Sequence, residues 1–326
     1  MPAHLAAGID LGGTNLKVTL VDRAGRIAVK QSQPSDTGRG PDAVVEDMVL
    51  LVDRLTAEAS VRRCDLIGVG VGSPGPLSVN TGRIHHCANL PGWRDVPLRD
   101  MLAERLKLPV VLDNDGNAAA FGEFCFGTGR GCRDMVVLTL GTGVGAGIVL
   151  DGRLVHGHFE NAAELGHMIV QTGGLACPCG QRGCLEQYSS AAAVGRRAAA
   201  AVRAGEASML SSAVQRGEAI DSVSVENAAK AGDVLCRRIW DEACLYLAIA
   251  TINIQHALNP ARVVLGGGMS SAGSFLLGRV QQYVAAHRWK LHDDVPELRL
   301  SSLGADAGVI GAAALVLHAP AALAPG

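Results

Sequence analysis

Short apolar runs alternate along this chain with longer stretches of helical spacing. Ala6–Asp10 reads as a strand, Leu11-Gly12-Gly13-Thr14 as a glycine-rich turn and Lys17–Val21 as a second strand. Asp22-Arg23-Ala24-Gly25 closes that pair as another turn. Residues 42–59 place Val45, Met48, Val49, Val52 and Leu55 on one helical face. Leu66–Val71 is a short apolar strand that runs into Gly72-Ser73-Pro74-Gly75-Pro76, a loop that cannot be helical. A helix over Pro97–Leu106 and a buried strand over Pro109–Leu112 follow, then Asp113-Asn114-Asp115-Gly116-Asn117 and a helix from Ala118 to about Phe126. The pattern then restarts. Met135–Leu140 is a strand, Gly141-Thr142-Gly143-Val144-Gly145 a turn, Ile148–Leu150 a strand and Asp151-Gly152 a turn. A long helix over Val234–Leu258 has Asp233 as its N-cap. It is followed by a strand at Arg262–Leu265, the turn Gly266-Gly267-Gly268 and a helix near 275–288. A strand at Leu298–Ser301 and a helix over Ala307–His318 close the pattern.

Alternating strands and helices define an α/β protein. Gly13-Thr14 recurs as Gly141-Thr142, about 128 positions on, within the same strand–turn–strand–turn pattern. Two domains of related build are expected, each carrying one glycine-rich loop to a shared cleft. Their expected extents are 1–113 with 306–326, and 114–305. No Pro/Ser-rich linker separates them.

Composition narrows the class. At 326 residues with 48% hydrophobic and 18% charged positions, the chain is long enough for two cores and too apolar for disorder. A net charge of −2 and only 3% aromatic residues argue against nucleic acid as the main partner. Met1–Ala7 carries no basic segment and no apolar signal core, and Leu245–Ile254 is too short to cross a bilayer, so a cytoplasmic protein without a membrane partner is expected. The nine cysteines are an odd number in a large chain, which argues against a disulfide framework.

The glycine turns carry chemistry. In Asp10-Leu11-Gly12-Gly13-Thr14-Asn15-Leu16-Lys17 a carboxylate ends the strand, a hydroxyl sits on the turn and a lysine follows. Glycine amides, the hydroxyl and Lys17 suit phosphate oxygens, and Asp10 suits Mg²⁺. The alternative is a plain hairpin turn. Gly141-Thr142-Gly143-Val144-Gly145-Ala146 formally fits the dinucleotide fingerprint, but a strand follows where that fingerprint needs a helix, so a second phosphate loop fits better. Gly266-Gly267-Gly268 lets a flat adenine approach the backbone, or is an ordinary strand-to-helix turn.

Asp113, Asn114 and Asp115 stand where open α/β sheets place ligands, although Asp and Asn there also cap helices. Glu164 and His167 lie three apart and face one way if they share a helical turn. His167, Cys177, Cys179 and Cys184 supply one imidazole and three thiolates, a closed tetrahedral set for structural Zn²⁺. Glu186 follows two residues after the last cysteine and joins Glu164 and His167 as a group able to face a polyol.

These motifs resemble the ROK family (repressor, open reading frame, kinase) of the actin-like/hexokinase ATPase superfamily. The matching segments are Asp10–Lys17, Gly70–Pro76, Asp113–Glu123, Gly141–Gly147, Glu164–His167 and Cys177–Ser190, in family order. The resemblance implies two actin-like domains closing over ATP and a sugar, in a homodimer or a tetramer. It implies Asp115 as catalytic base, with Gly75, Asn114, Glu164, His167 and Glu186 holding sugar hydroxyls. Asp10, Gly12, Gly13, Thr14, Lys17, Gly141, Thr142 and Gly143 fall on phosphate motifs, and Gly266, Gly267 and Gly268 fall near adenosine. Asp113, two residues before the base, is expected to matter much less for turnover.

Within the family, Ser73–Pro76 is similar to bacterial glucokinases. Asp113–Asn117 and Ala163–His167 are also similar to N-acetylmannosamine kinases, but the bifunctional animal enzyme carries an Arg near Pro76 that this chain lacks. The expectation is an ATP-dependent hexose kinase acting on the 6-hydroxyl of glucose, with an N-acetylmannosamine or N-acetylglucosamine kinase as alternative. The zinc cysteines are not typical of the polyphosphate-using glucokinases. The sugar-responsive repressors of the family carry a helix-turn-helix domain before the first phosphate motif, where nine residues precede Asp10 here. A non-catalytic sugar sensor would be expected to have lost Asp115 or a phosphate loop, and both are present.

Overall fold

Two five-stranded sheets of the same order organise the chain, seen in a computed structural model that describes residues 5–87, 90–291 and 293–318. The first is built from β1 (Ala6–Leu11), β2 (Asn15–Val21), β3 (Ile27–Pro34), β4 (Val69–Ser73) and β8 (Val110–Asn114), in the order β3-β2-β1-β4-β8. Between its strands come helix α1 (Pro41–Glu58), the short strands β5 (Leu77–Ser78), β6 (Arg83–His86) and β7 (Arg94–Val96), and α2 (Leu98–Leu106). Helix α3 (Asp115–Phe126) follows β8. β1, β2 and β3 pair antiparallel, and β1, β4 and β8 pair parallel.

The second sheet has β9 (Met135–Leu140), β10 (Val144–Leu150), β11 (Arg153–Leu154), β12 (Arg262–Gly266) and β13 (Glu297–Leu300), in the order β11-β10-β9-β12-β13. Its helices are α4 (Glu186–Ser189), α5 (Ala191–Arg203), α6 (Ser211–Gln215), α7 (Ser222–Lys230), α8 (Val234–Leu258) and α9 (Ser274–His287), and α10 (Ala307–Leu317) ends the described chain. The matching sheet orders give the sequence repeat a structural basis.

The chain divides into one unit of residues 1–131, 147–163 and 305–326 and another of 132–146 and 164–304. This differs from the expected division at 113/114. Helix α3 stays with the first unit because α10 packs along it and on β1 and β4. The approach is backbone to backbone: a Cβ on Gly8 would meet Val309 O, one on Gly70 would meet Ala312 O, and one on Gly311 would meet Ala118 O. Residues 319–326, included in the expected first domain, lie outside the described residues.

In the first unit, Met48, Leu51, Val52 and Leu55 of α1 join Ile9, Val18, Leu20, Val71 and Leu112 in one core. In the second unit, α8 packs against α5, α7 and α9. Its N-cap is as expected, with the Asp233 carboxylate accepting from Cys236 N at 2.8 Å. Among the described residues no cysteine forms a disulfide, and no helix is long and apolar enough to cross a membrane.

Several boundaries differ from the sequence reading. β10 begins at Val144, four residues earlier than Ile148, because Gly145, Ala146 and Gly147 continue the strand. A Cβ at Gly147 would collide with Ala120 and the Gly116 carbonyl, so the glycine there serves packing against α3. β4 starts at Val69 and runs through Ser73, while 63–65 forms a single 3₁₀ turn. Helix α3 begins at Asp115, three residues before Ala118.

Candidate active site

In the first unit, strand register gathers three loops. Asp10 pairs across the sheet with Lys17 on one side and Gly72 on the other, and Gly72 pairs with Asp113. β1, β4 and β8 therefore end in one row, and Leu11–Asn15, Pro74–Pro76 and Asn114–Asn117 leave the same edge. That edge is the carboxyl end of the parallel strands, where open sheets take ligands.

Asn114 and Asp115 have separate tasks in the last of these loops. The Asn114 side-chain oxygen caps α3, accepting from Gly116 N at 2.8 Å and Asn117 N at 3.3 Å. Its Nδ2 is turned toward Gly75, where an added Cβ would lie 3.6 Å away. Asp115 Oδ1 accepts from Gly116 N at 2.8 Å. Burial pushes the Asp115 carboxyl above its ordinary value, and the backbone hydrogen bond opposes that only partly.

Asp113, expected to matter less for turnover than Asp115, is engaged by both carboxylate oxygens. It is 2% exposed. Oδ1 accepts from Asn114 N at 2.7 Å and Asn117 Nδ2 at 2.9 Å, and Oδ2 faces His156 Nε2 at 2.7 Å. It holds the turn on which Asp115 stands.

On the first glycine turn, Gly12 N donates to Asn15 O at 2.9 Å, and Gly13 and Thr14 are exposed. Lys17 Nζ stands 3.8 Å from Asp10 Oδ2. Burial raises the Asp10 carboxyl, Lys17 opposes the rise, and the nearby charge of Asp115 adds to it. Among the described residues no short donor lies beside this carboxylate, and its place next to exposed amides and an ammonium group suits a cation–phosphate ligand better than a structural ion pair.

In the second unit, Gly141 N donates to Gly143 O at 2.9 Å, which closes the second turn and leaves Thr142 exposed. Glu186, at the start of α4, braces it: Oε2 accepts from Val144 N at 3.0 Å. A Cβ at Gly143 would strike that carboxylate. Gly266 pairs with Thr139, so the Gly266–Gly268 turn leaves the sheet at the same end as Gly141–Gly143. Gly267 has φ 77° and lies against the Leu140 backbone, a position that excludes any side chain.

The cysteine loop is pinned by bridges between Ile169 and Cys184 and between Ala176 and Arg182. One ligand atom from each of His167, Cys177, Cys179 and Cys184 lies within 4.8 Å of the others. The Cys179 and Cys184 sulfurs are 3.7 Å apart, too far for a disulfide at about 2.05 Å. That separation is the edge of a tetrahedron whose centre is about 2.3 Å from each thiolate. His167 turns Nδ1 toward Cys177 Sγ at 3.8 Å and Nε2 toward Glu164 Oε2 at 3.9 Å. With the ring held by a metal, its outer nitrogen remains free to meet a ligand beside exposed Glu164. Burial and the neighbouring thiols push Cys184 up to about 12, whereas backbone hydrogen bonding from Gln181 lowers Cys179. A metal would replace both protons.

Two residues at these sites escaped the sequence reading. Gln187 donates to Cys177 Sγ at 3.5 Å and accepts from Arg196 at 2.8 Å, bracing the metal cluster beside Glu186. His156 carries no local sequence signal because its partner lies 43 positions away, a distance that no spacing rule covers.

The ROK family profile matches residues 6–319. The chain belongs to the ROK family. A glucokinase of Halalkalibacterium halodurans is 39% identical over 310 residues, covering 95% of this chain and 94% of that protein. Among solved structures, a ROK hexokinase from Thermus thermophilus is 34% identical, with a TM-score of 0.78, covering 95% of this chain and 97% of that one. A ROK glucokinase from Streptomyces griseus, solved with glucose and AMPPNP, is 31% identical, with a TM-score of 0.80, covering 95% and 98%. The fold of this ROK protein is therefore that of the actin-like ATPases.

Proposed function

We propose that this ROK protein transfers the γ-phosphoryl group of ATP to the 6-hydroxyl of a hexose, with glucose as the preferred sugar. The observation that carries the reading is the division of labour at residues 113–115. Asp113 is fully bonded and Asn114 caps the helix, while Asp115 keeps a carboxylate oxygen for a substrate proton. A carboxylate in that state can accept the hydroxyl proton as the oxygen attacks phosphorus. The naming of a 39%-identical relative as a glucokinase supports the substrate class.

In this reading Asp115 is the general base. Asn114 Nδ2, the Gly75 backbone, Glu164, His167 Nε2 and Glu186 bind sugar hydroxyls. Glu186 also braces the phosphate loop. The amides of Gly12, Gly13, Gly141 and Gly143, the Thr14 and Thr142 hydroxyls and Lys17 bind phosphates. Asp10 would hold Mg²⁺ directly or through water, and Gly266, Gly267 and Gly268 would accept adenosine. Mg²⁺, when bound, neutralises charge on the phosphates. His167, Cys177, Cys179 and Cys184 would hold a structural Zn²⁺, which fixes the His167 ring and leaves no open coordination position. A cytoplasmic homodimer is the assembly we assign, with a tetramer as the alternative that light scattering separates.

A coupled ADP-release assay tests the function with glucose, mannose, N-acetylglucosamine and N-acetylmannosamine. Glucose should give the highest kcat/KM. A preference for either N-acetylhexosamine would replace the substrate assignment, and the absence of sugar-dependent ADP release would remove the kinase assignment.

A further inference from the structure

We propose that His156 is a positioning residue for Asp115, acting through the buried Asp113 carboxylate; the catalytic part of this inference rests on the hexose kinase reading. His156 belongs to the segment that follows β11. Its Nε2 meets Asp113 Oδ2 at 2.7 Å, and the other oxygen of that carboxylate accepts from Asn114 N and Asn117 Nδ2. Rotation of the Asp113 carboxylate would therefore break both bonds that seat the 114–117 turn. His156 stops that rotation by holding the oxygen the turn does not use.

The segment itself is fixed at several points. Val155 N donates to Ile148 O at 2.9 Å and Ala162 N donates to His156 O at 3.0 Å. Four residues beyond His156, the Glu160 carboxylate accepts from Ser78 Oγ at 2.9 Å and Asn80 N at 3.0 Å, and also from the Asn80 side-chain amide. Ser78 and Asn80 lie just past Gly75 and Pro76. One short segment thus restrains the base turn through His156 and the chain after the Ser73–Pro76 loop through Glu160. The Asp113 hydrogen bond and charge raise His156 above its ordinary value against the cost of burial, and Glu160 adds to the rise. The ring is thereby a firm donor to Asp113. The arrangement matches the way an outer partner orients a working group in enzymes whose first layer is already complete.

The test compares His156→Gln, whose amide nitrogen can reach the position of Nε2, with His156→Leu, which removes the donor. His156→Leu should lower kcat at least about tenfold, with the KM for ATP changed by less than about twofold, because the interaction bears on the reacting group and not on ATP binding. His156→Gln should remain within about threefold of wild type. Asp113→Asn combined with His156→Leu should be little worse than the poorer single variant, since both break one bond. Backbone amide exchange at Gly116 and Asn117, measured at a pH where all variants are folded, gives a readout independent of turnover. It should accelerate in the Leu variant and not in the Gln variant. Equal damage by Gln and Leu, unchanged kcat in the Leu variant, or unchanged amide exchange overturns the proposal. If wild-type protein shows no sugar-dependent turnover, the kinase reading fails by itself, and amide exchange still decides whether His156 seats the turn.

Discussion

Replacing Asp115 with Asn separates chemistry from folding at one position. Asp115 Oδ1 accepts only from Gly116 N among the hydrogen bonds of this turn, and an Asn oxygen can take that bond. The cap of α3 belongs to Asn114 and is untouched. Geometry and fold should therefore survive, while the variant loses its proton acceptor. General-base catalysis contributes about 10²–10⁴-fold, or about 2.7–5.4 kcal/mol of barrier, so kcat should fall at least about 100-fold. The sugar Kd from titration calorimetry should change by less than about fivefold, because the other polar groups remain. Stability should move the other way. Burial raises the Asp115 carboxyl, so folding favours its protonated form. That contribution is present below the unfolded value of about 3.9 and is lost as pH rises through the folded value. Near neutral pH the variant should melt at or above the wild-type temperature. The wild-type kcat should show an acid limb above the ordinary Asp range, because the base must be ionised to act. Asn114→Ala is the contrasting perturbation: it strips the cap acceptor from two amides and should cost about 0.5–2 kcal/mol of stability. A turnover within tenfold of wild type in Asp115→Asn, with intact fold and unchanged sugar affinity, would refute the assignment of the base.

The other expectations follow from the second unit. Cys179→Ser should reduce bound zinc measured by mass spectrometry and lower Tm and activity, since three ligands hold the ion less tightly; wild-type protein free of zinc after mild purification would contradict it. Gly143→Ala should raise the KM for both ATP and glucose, because the added Cβ meets the Glu186 carboxylate, which braces the phosphate loop and is assigned to the sugar; an unchanged KM for ATP would show that the loop does not hold phosphate.

Strong periodicity and local chemistry made much of this fold legible. Helix α8 has the expected bounds, Val234–Leu258, since thirteen of its residues are buried around a capped, uninterrupted pattern. β9 likewise runs from Met135 to Leu140, an apolar run interrupted only by Thr139. β3 gave no signal because Lys30, Gln31, Ser32 and Gln33 leave an edge strand largely exposed. Strands β5 to β7 have two to four residues each, too short for an alternation to register. Helix α5 buries alanines, a valine and Gly195, small side chains that carry little apolar contrast. The metal ligands were readable because they fall within eighteen positions, 167–184. The Asp113–His156 bond was not, since only tertiary folding brings its partners together.

The place of α10 has a consequence for synthesis of the chain. This helix, residues 307–317, supplies the surface that covers Gly8, Gly70 and α3 of a unit whose first strand, β1, is made before the second unit. The ribosome must therefore produce the whole second unit, through residue 304, before the first unit can complete its core. The domain begun first should finish last, holding β1 and β4 open meanwhile. A released fragment ending near residue 304 should resist protease over 164–304 and be cut within 1–131. Equal protection of both regions would show that the first unit needs no C-terminal helix to close.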